Sequence, residues 1–104
     1  MNQFKVEFDS MEWQSTREGM RFKRYSEGSR QLRLVEFFSS DVPSHWCEVG
    51  HVGFVLSGAL EIEFSRKVVS YAEGDGIFIP SGSASAHRAS SITPGTRLVM
   101  VEES

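Results

Sequence analysis

Four side chains in this sequence are good transition-metal ligands: His45, Cys47, His51 and His87, which together are all of its histidines and its only cysteine. Imidazole and thiolate donors suit zinc, nickel, iron and copper, and the sulfur binds as the deprotonated thiolate. His45, Cys47 and His51 are separated by even steps, and an extended strand places evenly spaced side chains on one face. Three ligands can therefore point one way from residues 44–58, subject to how the chain bends at Gly50. His87 lies beyond a second segment marked by glycine and proline, so a four-ligand site has to recruit it across the fold. No Ser-His-Asp order, phosphate-binding loop or pair of catalytic carboxylates stands out beside this cluster.

The elements that must position these residues read as short strands. Leu60, Ile62 and Phe64 alternate with Glu61 and Glu63, the pattern of a sheet with one buried and one wet face. Similar segments are predicted over residues 4–8, 20–25, 31–38, 68–71, 77–79 and 96–101, and Val52, Phe54 and Leu56 form another alternation. Turn signals separate them: Ser26 to Ser29, Asp41-Val-Pro43, Ser57-Gly58, Gly74-Asp-Gly76, Pro80-Ser-Gly82 and Thr93-Pro-Gly95. The apolar run at Val35, Phe37 and Phe38 shifts phase, as a bulge or a change of exposure would. A single helical turn near residues 10–18 is the one helical foothold. Seven to nine such strands at this spacing predict an all-β sandwich or barrel.

Length and composition narrow the reading further. A chain of 104 residues fits one domain, with residues 1–19 as an N-terminal arm or strand and residues 20–104 as the barrel. A net charge of -3 and scattered basic residues argue against nucleic-acid binding through a basic face. A lone cysteine forms no intrachain disulfide, and the N-terminus lacks the apolar run of a secretory signal, so a reduced, cytoplasmic setting is expected. No apolar run approaches the ~20 residues of a membrane span.

The pattern His45-x-Cys47-x3-His51-x6-Gly58, followed by Gly74-Asp75-x4-Pro80-x-Gly82 and His87, resembles the two motifs of the cupin superfamily, Gly-x5-His-x-His-x3-4-Glu-x6-Gly and Gly-x5-Pro-x-Gly-x2-His-x3-Asn. The resemblance implies a small cupin-type double-stranded β-helix, or jelly-roll barrel, with a metal site inside it. Two ligand positions depart from the family: Cys47 stands where the second histidine is usual, and His51 where the glutamate is. The gap from Gly82 to His87 is four residues instead of two, so strict alignment puts Ser85 at the fourth ligand position. An insertion of two preserves strand parity and leaves His87 able to face inward one step further on.

With His45, Cys47, His51 and His87 as ligands, the thiolate restores the anionic charge that the missing carboxylate supplies elsewhere in the family. Such a set favours a divalent transition metal, Zn, Ni or Fe, over manganese. The interior candidates are Met20, Phe37, Val55, Phe78 and Met100, with Trp46 pointing away, while Arg33, Arg88 and Arg97 read as solvated surface charges. The resemblance implies a small-molecule site, as in a metal-dependent dioxygenase, isomerase or lyase, or else a non-catalytic ligand-binding or sensing cupin, with or without metal. A homodimer is the expected assembly, formed edge to edge or by exchange of the strand over residues 4–8.

Overall fold

Alternating burial along eight short strands builds two antiparallel sheets. The computed structural model describes residues 4–41 and 45–103. The strands are β1 (Met20–Glu27), β2 (Arg30–Phe37), β3 (His51–Ser57), β4 (Ala59–Phe64), β5 (Val68–Ala72), β6 (Gly76–Ile79), β7 (His87–Ile92) and β8 (Arg97–Glu103). One sheet has the order β1-β2-β8-β3-β6 and the other β5-β4-β7, so neighbours in space are often distant in sequence. The core lies between the sheets. Phe22, Val35, Val55, Ile77 and Leu98 reach it from the five-stranded sheet, and Leu60, Ile62 and Ile92 from the three-stranded one.

The expected all-β jelly roll is what forms, and most strand boundaries fall within a residue or two of the turn signals. Gly58 is the tightest of these turns. Its φ of +84° suits glycine, and a Cβ there would overlap Thr96, whose buried hydroxyl ties the start of β4 in place. Thr96 Oγ1 accepts from the Ala59 amide at 3.0 Å and donates to the Thr93 carbonyl at 2.7 Å.

Two expectations need correction, and a third is decided between its alternatives. Residues 4–8 are not a strand: the segment is irregular coil leading to a 3-10 turn at Phe8–Ser10, and only Gln14 pairs with the β1 edge, through Phe22. What holds the segment is its cover over the outer face of β1. Lys23 Nζ donates to the Phe8 carbonyl at 2.7 Å, and Trp13 lies against both Arg21 and Lys23. Phe78 is not an interior residue, because β6 turns Ile77 and Ile79 inward and leaves Phe78 facing out. No bulge interrupts β2, which pairs with β1 in unbroken register from Met20 against Phe37 to Glu27 against Arg30. The apolar phase shift there is a change of exposure. The expected loop at Val42, Pro43 and Ser44 lies outside the described residues.

No helix among the described residues is long and apolar enough to cross a membrane.

Candidate metal centre

His51 opens β3, and strand parity points it into the interior beside Val55. The segment before it reaches that position because Gly50 packs directly on β6: a Cβ there would overlap the Ile79 carbonyl oxygen, and its amide donates to Ser81 Oγ at 2.8 Å. Cys47 is placed by a separate bridge to the first residue of β7. Its amide donates to the His87 carbonyl at 2.7 Å and its carbonyl accepts from the His87 amide at 2.9 Å. Residues opposed in this way present their side chains on the same side of the ladder.

The donor atoms of Cys47, His51 and His87 all lie within 4.8 Å of one another. The two-residue insertion before His87 is taken up by Gly82, at φ +121°, and a 3-10 turn at Ser83–Ser85. Ser85 therefore does not take the inward place. Its carbonyl instead accepts a hydrogen bond from His87 Nδ1 at 2.9 Å. His45 stands outside the three-residue group, exposed, although it lines the same cavity.

Both imidazoles are fixed in the orientation a metal needs. His51 Nδ1 lies 2.7 Å from Glu102 Oε2, and His87 Nδ1 faces a backbone carbonyl, so in each ring Nδ1 is the nitrogen engaged by the protein and Nε2 is the one turned to the donor group. His87 Nε2 is buried and has no hydrogen-bond partner. A polar atom stranded in this way is costly unless something binds it. The two rings meet edge to face at 5.0 Å, and Phe64 packs against His87 at 6.0 Å.

Glu102 and Arg33 complete the centre, and their roles are not apparent from motif matching. Glu102 is buried on the inner face of β8, where Arg33 Nη1 donates to its other oxygen at 2.8 Å. Burial alone would raise its carboxyl pKa, but the hydrogen bonds and charges of His51 and Arg33 prevail and hold it at about 2. Arg33 is thus a partly buried ion-pair residue, not a solvated charge. Arg88 and Arg97 are paired as well, with Glu63 and Glu36 respectively. Strand parity was the available signal: Arg33 shares a face with Val35 and Phe37, and Glu102 with Leu98 and Met100.

Below the three donors lies a cavity of about 240 Å³. Phe37, Leu60, Ile62, Ile77, Leu98 and Met100 form its apolar walls, and His45 and Arg88 stand with the donors in its polar part. Arg88 carries Trp46 on its guanidinium at 4.6 Å.

This arrangement of two antiparallel sheets recurs in solved structures. An RmlC-like cupin from Shewanella frigidimarina superposes with a TM-score of 0.77 at 14% identity, over 99% of this chain and 93% of that one. The fold is that of the cupins. KdgF from Halomonas sp. shares it at 22% identity, with a TM-score of 0.75 over 91% of this chain and 89% of that one. So does a sugar phosphate isomerase of the cupin superfamily from Silicibacter pomeroyi, at 20% identity and a TM-score of 0.72, over 96% of this chain and 76% of that one. No protein-family model and no curated protein matches the sequence. The likeness extends to the fold, and the chemistry has to come from this chain's own residues.

Proposed function

We propose that this cupin-fold protein binds one divalent transition metal through Cys47 Sγ, His51 Nε2 and His87 Nε2, and acts through it on a small molecule held in the interior cavity. The observation that carries this reading is the buried, unpartnered Nε2 of His87 facing a donor group of one cysteine and one further histidine. Two imidazoles and a thiolate favour zinc, nickel or iron, and a three-residue set leaves a coordination position for substrate or water.

A metal bound there supplies Lewis acidity, polarising a carbonyl or phosphoryl oxygen or acidifying a water. The protein's part is orientation and exclusion. Glu102, pinned by Arg33, holds the proton on His51 Nδ1, and the Ser85 carbonyl holds that on His87 Nδ1. The apolar walls exclude water and strengthen every electrostatic contact inside. A cavity of about 240 Å³ limits the substrate to a compact molecule with an apolar side. His45, exposed at the same cavity, is free of the donor group and serves as the residue that moves a proton to or from the bound molecule. An isomerase or lyase fits this inventory, and one structural neighbour is named as an isomerase.

A non-catalytic sensing role is the second reading. It is favoured by the scarcity of proton-transfer groups in the cavity, where His45 stands alone once the metal donors and the paired Arg88 are set aside. Cobalt substitution tests the shared premise. Thiolate-to-cobalt charge-transfer absorption is expected in the wild type and should vanish in Cys47→Ser; its absence from the wild type would sink the proposal. Screening compact carbonyl compounds against the metal-loaded protein then separates the readings, since turnover lost in His45→Ala favours the enzyme and saturable binding without turnover favours the sensor.

A further inference from the structure

The outer face of the five-stranded sheet is apolar across four strands, β2, β8, β3 and β6. Strand register aligns Leu32, Val101, Val52 and Phe78 in one row and Leu34, Val99 and Phe54 in the next, with Leu56 beside them at a register shift. Phe78 is 80% exposed, and Val52, Phe54, Leu56 and Val101 are each more than two-fifths exposed. The N-terminal segment covers the β1 end of this face through Trp13 and Phe8, and Leu34 beside it on β2 is buried. A half-solvated sheet ordinarily presents polar residues outward. With two phenylalanines of roughly 200 Å² each among its members, the patch amounts to about 500 Å² of apolar surface, the upper range of what a monomer leaves bare.

The two ends of the face carry opposite charge. At one end Arg21 and Arg97 share Glu36, at 2.6 and 3.2 Å, leaving a net positive charge. At the other end Glu27, Arg30 and Glu103 form a single cross-strand row and leave a net negative charge. A two-fold axis lying between two such faces, at right angles to the strands, runs β8 antiparallel to its copy. The Arg97 end of one chain then meets the Glu103 end of the other, twice, around an apolar centre. An axis parallel to the strands would set like ends together.

We infer that this face is the contact between two copies of the chain, packed face to face with their β8 strands antiparallel. The self-complementary charge and the lack of charged side chains in the two central rows over β2, β8, β3 and β6 both fit a second copy. The patch and its charged rim together approach the ~800 Å² per partner of a standard interface. The contact is independent of the metal centre, and it differs from edge-to-edge pairing or strand exchange through residues 4–8, which form no strand within the chain.

Light scattering and sedimentation equilibrium on the full chain test it. The wild type at about 100 µM should weigh twice the 11.7 kDa of the chain. Phe78→Glu, or Val101→Lys two strands away on β8, should raise the dimer dissociation constant by about 100-fold or more with an unchanged far-ultraviolet circular dichroism spectrum. Glu103→Arg should weaken the dimer, and adding Arg97→Glu to it should restore it. A monomeric wild type would overturn the inference, and so would a dimer that survives both apolar-face variants or is lost on deleting residues 4–8 alone. Failure of the double charge exchange to restore what Glu103→Arg removes would overturn the antiparallel arrangement.

Discussion

Glu102 Oε2 stands 2.7 Å from His51 Nδ1, with Arg33 fixed to the opposite carboxylate oxygen. The three side chains come from β2, β8 and β3, which are neighbours in the sheet, and all lie on its inner face. At the position where the family's motif has a glutamate this chain has His51, and a carboxylate is present one strand away, behind the histidine instead of in front of it. Glu102 acts as a positioning residue for His51.

Removing that carboxylate should loosen the metal without emptying the site. Glu102→Gln is expected to weaken metal affinity about 10–100-fold, the usual cost of losing a ligand's orienting partner. Competition against a chelator of known affinity measures it. Glu102→Asp, which can still accept from His51, should recover part of the loss, whereas a purely structural role would leave affinity unchanged in both.

The same carboxylate gives metal-free protein an acid-sensitive step. Its folded pKa of about 2 lies below the ordinary value of 4.5, so the carboxylate form is favoured by folding. That contribution is complete above about pH 4.5 and is lost as pH falls toward about 2, because the unfolded chain then binds the proton first. The magnitude is on the order of 2–3 kcal/mol. Chelator-treated wild type should lose stability over this window in denaturant titrations, and Glu102→Gln should show a flatter pH dependence there.

The sulfur sets the softness of the centre. Replacing Cys47 with aspartate keeps one anionic donor but makes it hard, so preference should move away from zinc and toward manganese or magnesium. Competitive loading with an equimolar metal mixture reads this directly. An unchanged profile would mean that Cys47 is not a donor.

Gly58 offers a check on the fold itself. Gly58→Ala places a Cβ against Thr96 and forces an ordinary residue to φ +84°, so a loss of about 2–3 kcal/mol is expected. Chemical denaturation measures it, and a neutral result would contradict the described turn.

How much of this was written locally in the chain depends on the residue. The alternation of Leu60, Ile62 and Phe64 with Glu61 and Glu63 specifies β4 without reference to any neighbour, and the glycine and proline turns bound most of the other strands. Cys47 and His51 are recognisable from spacing within one motif. The assignment between Ser85 and His87 was not, because parity treats both alike and only the 3-10 turn at Ser83–Ser85 decides which side chain reaches inward. Arg33 and Glu102 were legible as inner-face residues but not as partners. Their contact spans 69 positions and depends on β2 and β8 being adjacent. Phe78 is hydrophobic yet outside, because it alternates with the buried Ile77 and Ile79 along β6. Residues 4–8 alternate without forming a strand, since alternation alone does not supply pairing and only Gln14 bridges to β1.

The most direct test of the metal centre is elemental analysis of protein purified without a metal-affinity column. About one equivalent of zinc, nickel or iron per chain is expected in the wild type and in His45→Ala, falling below a tenth of an equivalent in His87→Ala and in Cys47→Ala. A metal-free wild type that stays empty after incubation with each of these ions, or a metal content unaffected by His87→Ala, would contradict the assignment.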